Sequence, residues 1–82
     1  MAEIVPVVLP KWGMNMVEAT LVEWKKSVGE HVREGEAIAS IMTDKVEADV
    51  VSPVSGVITE ILVRPNQDAR VGATLAQVRK DP

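Results

Sequence analysis

The chain contains no cysteine, phenylalanine or tyrosine, and a single histidine, His31. Each shortage closes off a kind of chemistry. Without cysteine there is no disulfide framework, no thiol nucleophile and no thiolate metal site, which suits a reducing cytoplasm. One histidine cannot build a histidine-rich metal cluster. A Ser-His-Asp triad would need His31 beside Ser27, Ser40, Ser52 or Ser55, and no spacing here supports that. Standing between Glu30 and Val32, His31 reads as a solvated loop residue. Aromatics are limited to Trp12 and Trp24, so the interior must be built from Val, Ile, Leu, Met and Ala. An aliphatic core that thin leaves little room for a deep small-molecule pocket.

Charge and hydropathy exclude further classes. Nine Lys and Arg are scattered among twelve Asp and Glu, for a net charge of -3, which argues against nucleic acid as a partner. The apolar run from Ile4 to Leu9 is broken by Pro6 and follows no basic segment, so neither a signal peptide nor a membrane span is expected. A soluble, cytoplasmic, monomeric domain is the expectation, and 82 residues suffice for one small core.

What is present is strand pattern. Val-, Ile- and Leu-rich stretches recur around residues 4–9, 20–24, 37–43, 46–51, 56–63 and 74–79, with Gly, Pro, Asn or Ser between most of them. No stretch carries caps and a 3.6-residue stripe long enough for a helix, and in residues 25–32 Gly29 with the β-branched Val28 and Val32 favours extended structure or loop. The glycines are too dispersed for a phosphate cradle, so Gly29, Gly35, Gly56 and Gly72 read as turn residues of positive φ.

The chain also repeats itself. Residues 18–44 laid over 55–81 match Glu23 to Glu60, Arg33 to Arg70, Gly35 to Gly72, Ala39 to Ala76 and Asp44 to Asp81. Apolar positions coincide as well: Leu21 with Ile58, Trp24 with Ile61, Ile38 with Leu75 and Ile41 with Val78. Two similar half-sheets, each with an apolar face to bury, predict a flattened β-barrel or sandwich of pseudo-twofold symmetry. In it, Asp44 corresponds to Asp81 near the chain end, so the turn at Asp44 and the termini should lie at opposite ends. Trp24 is expected in the core.

Around Asp44-Lys45 the chain folds back. With these two residues as a tip, Thr43 pairs with Val46, Met42 with Glu47, Ile41 with Ala48, Ser40 with Asp49 and Ala39 with Val50, and every side chain falls on a consistent face. Ile41 and Ala39 are then the positions beneath the hairpin where substitution should cost most. The pairs Asp44 with Asp49 and Glu34 with Glu36 read as a solvated face, because no pocket is available to shift their titration. Asp-Lys is not the signature of a primed turn, so the turn type is open. On spacing alone, a lysine in a turn is an ordinary surface residue.

Resemblance assigns that lysine more. Met42-Thr43-Asp44-Lys45-Val46-Glu47-Ala48, followed by Val51-Ser52-Pro53-Val54-Ser55-Gly56-Val57-Ile58, resembles the attachment hairpin of lipoyl domains in 2-oxo acid dehydrogenase complexes. Gly29, sixteen residues before Lys45, and Gly56, eleven after it, match two glycines of that family, and Leu9-Pro10, Val22-Glu23-Trp24 and Val71-Gly72 extend the likeness over nearly the whole chain. The resemblance implies an all-β fold of two four-stranded antiparallel sheets over residues 1–79, with 80–82 as the start of a linker or tail. It implies lipoic acid in amide linkage to Lys45, presented by Asp44 and Val46, with Gly29 and Gly56 serving fold or ligase recognition. Lys11, Trp12, Gly13 and Met14 would form a partner loop close by, most similar to acyltransferase components of acetoin-cleaving or pyruvate complexes. The implied partners are a lipoyl ligase or transferase, a thiamin-dependent dehydrogenase or decarboxylase, an acyltransferase core and a dihydrolipoyl dehydrogenase. The domain itself would be a carrier, not an enzyme. Met42 stands where the family often has Glu. The alternatives are a biotinyl carrier, which typically has Met on both sides of its lysine where Asp44 and Val46 stand here, and an unmodified interaction module, usually split by a helical insertion that this chain lacks.

Overall fold

The computed structural model describes residues 3–11 and 16–82, and every regular element among them is a strand. The strands are β1 (Ile4–Val8), β2 (Glu18–Trp24), β3 (His31–Val32), β4 (Ala37–Met42), β5 (Glu47–Val51), β6 (Gly56–Ile61), β7 (Asp68–Arg70) and β8 (Thr74–Lys80). They form two four-stranded sheets, ordered β1-β8-β6-β3 and β5-β4-β2-β7, antiparallel throughout. The expected all-β pair of four-stranded sheets is what forms. Six strands coincide with the Val/Ile/Leu stretches, whereas β3 and β7 are too short to show a period of their own.

The two sheets are copies of one another. Strand β2 pairs with β4 through Thr20–Met42, Leu21–Ile41, Glu23–Ser40 and Trp24–Ala39, slipping one residue between Leu21 and Glu23. Strand β6 pairs with β8 through Val57–Arg79, Ile58–Val78, Glu60–Gln77 and Ile61–Ala76, slipping between Ile58 and Glu60. The second set is the first moved by the repeat. Bulges like these raise the local twist, which lets two short sheets curl over one shared core.

Turns repeat too. Glu30 N–H donates to Ser27 C=O around Gly29 (φ 94°), and Gln67 N–H donates to Arg64 C=O around Asn66 (φ 70°). A type II turn needs positive φ at its third residue, and Pro65-Asn66 supplies the favoured pair for one made without glycine. Gly35 (φ 84°) and Gly72 (φ 88°) occupy the same place in a second matched pair of turns. Gly56 departs from the expectation: it lies inside β6, is buried and has no positive φ. A Cβ there would overlap the Arg79 carbonyl oxygen. It is glycine because strand β8 passes too close for a side chain.

Between the sheets lie Val7, Leu9, Leu21, Val32, Ile38, Ile41, Val50, Ile58, Leu75 and Val78, all essentially inaccessible, together with Ala39 and Ala76. Ala39 and Ile41 are in the core as expected. Trp24 is half-buried at its margin, where the indole N–H donates to Val63 C=O at 2.7 Å. Ser52, the one buried polar side chain among the described residues, donates to Val54 C=O at 2.6 Å. No helix among the described residues is long and apolar enough to cross a membrane.

Two measurements probe this framework. Gly56→Ala should destabilise by about 2 kcal/mol, as forced overpacking does, and lower the melting temperature by roughly 10 °C for a domain of this size. Thermal denaturation followed by circular dichroism reads it, and an unchanged midpoint would refute the close-approach explanation. Glu36 accepts a hydrogen bond from Arg33 N–H at 2.9 Å and pairs with Lys26 at 3.2 Å. The Arg33 amide first, and then Lys26, hold its carboxyl below the usual glutamate range. A lowered folded-state value means stabilisation present above the unfolded-state value and lost as pH falls through the folded one. Urea midpoints should therefore drop more steeply on acidification in the wild type than in Glu36→Gln.

Candidate attachment site

The hairpin β4–β5 has the register its alternation predicts: Met42 opposite Glu47, Ile41 opposite Ala48, Ser40 opposite Asp49 and Ala39 opposite Val50. Ala39, Ile41 and Val50 are buried while Met42, Glu47 and Asp49 are exposed, so the core face pins the pairing. On the outer face, Ser40 Oγ donates to Asp49 at 3.2 Å and Lys25 reaches the same carboxylate at 3.3 Å. Asp49 is therefore tied to a cation and a hydroxyl, not coupled to Asp44.

At the tip, Thr43 N–H donates to Val46 C=O at 2.7 Å. The Thr43 hydroxyl oxygen accepts from Val46 N–H at 3.0 Å and from Lys45 N–H at 3.2 Å. Neither Asp44 nor Lys45 has positive φ, which rules out the primed turns. The open question of turn type is thus answered by a turn of negative φ closed by a threonine side chain. Strand alternation by itself gives Thr43 no role beyond pairing with Val46. The signal that marks it is a hydroxyl two residues before the lysine, at the spacing of a side-chain-closed turn.

Lys45, Asp44 and Val46 are all exposed. Among the described residues the Lys45 ammonium has no ion-pair or hydrogen-bond partner, whereas Lys25, Lys26 and Lys80 each hold a carboxylate. Shallow depressions flank the tip. One is bordered by Met16, Val17 and Val46, and the other by Glu18, Met42, Asp44 and Asp68. Such a lysine fits a group carried through an amide: its nitrogen is accessible, its backbone is fixed, and no salt bridge is lost on acylation.

The opposite end is closed differently. The base of the hairpin joins the chain ends, since Ser52 N–H donates to Glu36 C=O and both Glu34 N–H and Asp81 N–H donate to Ser55. There Lys80 N–H donates to Glu3 C=O at 2.8 Å, in the position that Thr43 and Val46 occupy at the tip. The chain ends thus stand where a second hairpin turn would be, at the far end of the strands from Lys45, as the repeat predicts. His31, expected in a loop, is instead in β3, and its Nε2 lies 2.8 Å from an Asp81 carboxylate oxygen.

The other predicted site residues are placed as follows. Gly29 and Gly56 belong to the sheet opposite the lysine hairpin, where they shape turn and strand contact and do not touch the tip. Lys11 is exposed, just beyond the buried Leu9. Trp12, Gly13 and Met14 lie outside the described residues. Among the described residues no cluster of three or more His, Asp or Glu is arranged to hold a metal ion.

Comparison with known proteins agrees with this geometry. Residues 5–78 match the biotin/lipoyl domain family, described as "Biotin-requiring enzyme". Among curated proteins, the acetyltransferase component of the acetoin cleaving system of Pseudomonas putida is 35% identical over 78 residues, 95% of this chain and 21% of that protein. The succinyltransferase component of the mitochondrial 2-oxoglutarate dehydrogenase complex of Saccharomyces cerevisiae is 40% identical over 70 residues, 85% of this chain and 15% of that protein. Both are named as dihydrolipoyllysine-residue enzymes, and the chain spans about a fifth or less of their length. In three dimensions it superposes on the lipoyl domain of the 2-oxoglutarate dehydrogenase complex from Azotobacter vinelandii with a TM-score of 0.76 at 28% identity, covering 95% of this chain and 99% of that one. A family match that runs from β1 to β8, joined to the same fold in a lipoyl domain, makes this chain a member of the biotin/lipoyl domain family.

Proposed function

We propose that the chain is a lipoyl carrier domain and that Lys45 is its point of attachment. The observation that carries this reading is the tip itself, an exposed primary amine, unpaired among the described residues, on the β4–β5 turn at the far end of the strands from Glu3 and Lys80. Lipoic acid is favoured over biotin because Asp44 and Val46, not methionines, flank the lysine, and because similar proteins are named for a dihydrolipoyllysine residue.

Modification requires the Lys45 ammonium to lose a proton, after which Nζ attacks an activated carboxyl carbon. The new C–N bond replaces the bond to the activating group, and the positive charge of Lys45 is lost. When bound, the group supplies a cyclic disulfide that takes up an acyl unit together with two electrons. The residues of this chain do none of that chemistry. Asp44 and Val46 hold the lysine clear of the body, and the two sheets keep the turn from folding back onto them. A tethered domain of this kind raises the local concentration of its arm at successive active sites.

The partners that follow are a lipoyl ligase or transferase, a thiamin-dependent dehydrogenase or decarboxylase, an acyltransferase core and a dihydrolipoyl dehydrogenase. Lys11 with Trp12, Gly13 and Met14 is the candidate loop for choosing among decarboxylating enzymes. Intact mass spectrometry after incubation with lipoic acid, ATP and a lipoyl ligase is the test. One added lipoyl group, absent from Lys45→Ala, is the expected result, and uptake of biotin in place of lipoate, or of neither, would overturn the assignment.

A further inference from the structure

The lysine-bearing turn is closed in an uncommon way. Two-residue hairpin tips favour positive φ, because only then does the turn twist in the same sense as its strands. Asp44 and Lys45 both lie at negative φ, so the tip needs another restraint. Thr43 provides it, with its N–H on Val46 C=O and its hydroxyl oxygen between the amides of Lys45 and Val46. Those two N–H groups belong to the peptide units on either side of the Lys45 Cα. One side chain therefore restrains both bonds about which the lysine would otherwise turn.

The pseudo-twofold offers an internal control. Lys80 occupies the position of Thr43 in the other sheet, and its N–H donates to Glu3 C=O as Thr43 N–H does to Val46. No turn has to be closed there, and no hydroxyl is present. The hydroxyl stands where residues 44 and 45 must be held. Below it, the hairpin is kept in register by Ala39, Ile41 and Val50 in the core and by Ser40 on Asp49 outside.

We propose that Thr43 is a positioning residue for the acylation of Lys45. Its hydroxyl transfers no proton and meets no reacting atom. It acts through the backbone, fixing the direction in which the Cα–Cβ bond of Lys45 leaves the tip, so that a modifying enzyme meets the lysine stem in one orientation, and a wandering tip sacrifices orientation at the moment of attack. The inference rests on the attachment reading above.

The test compares wild type, Thr43→Val and Thr43→Ser at a temperature where circular dichroism shows all three folded. Valine keeps the β-branched shape and removes the acceptor. Initial rates of lipoylation, read by intact mass at varied domain concentration, should show kcat/KM lowered about tenfold in Thr43→Val and largely restored in Thr43→Ser. Amide exchange should quicken at Lys45 and Val46 in Thr43→Val while the strand amides of β4 and β5 stay as they were. Equal rates for Thr43→Val and wild type would overturn the inference, as would a serine variant no better than valine. If the wild type itself takes up no lipoyl group, the carrier assignment fails. Exchange at the two tip amides then still decides whether Thr43 holds the turn, and no change there refutes that as well.

Discussion

An aliphatic layer shared by two half-sheets is the constraint from which everything else in this domain follows. Neither half can bury its own apolar face alone, and among the described residues no aromatic lies at the centre to fill space. Leu21 and Ile41 of one sheet and Ile58 and Val78 of the other must close the same interior. Branched aliphatic residues stand at set depths above a sheet, so a slip of either half by one residue would send its apolar set into water. The bulges after Leu21 and Ile58 are equivalent because both halves solve the same curvature problem at matching positions of the repeat.

That shared interior also decides what the surface can be. Strands β4 and β5 are anchored from beneath by Ala39, Ile41 and Val50, so the tip residues Thr43 to Val46 contribute nothing to the core and are held by their own turn contacts. A turn with no core to maintain can be specialised for presentation. At the opposite end the corresponding backbone positions are taken up by the chain ends, held by Lys80 on Glu3 and by His31 beside Asp81. The same backbone geometry thus ends in an exposed turn at one end of the strands and, at the other, in side-chain contacts between Lys80 and Glu3 and between His31 and Asp81.

Legibility in the sequence followed the strength of the physical signal. The hairpin register could be read because its two strands alternate cleanly and one face is buried. The duplication could be read because turn residues such as Gly35 and Gly72 recur with the apolar positions between them. Strands of two or three residues have no period to detect, so β3 and β7 were hidden, and His31 with them. Gly56 misled because glycine answers two different needs, positive φ and close approach, and only the neighbouring Arg79 carbonyl distinguishes them. The role of Thr43 depends on where its hydroxyl points, which alternation alone does not reveal. The resemblance singled out Lys45, and the fold explains why that position is accessible.

Glu3 and Lys80 lie side by side at the base of the lysine hairpin. From Ala37 at that base to Thr43 at the tip is six residues, or about 20 Å of extended strand. Lys45 thus stands a full strand length from the Lys80–Glu3 contact, and for any rotation about that end of the sheets its displacement scales with the length of β4 and β5.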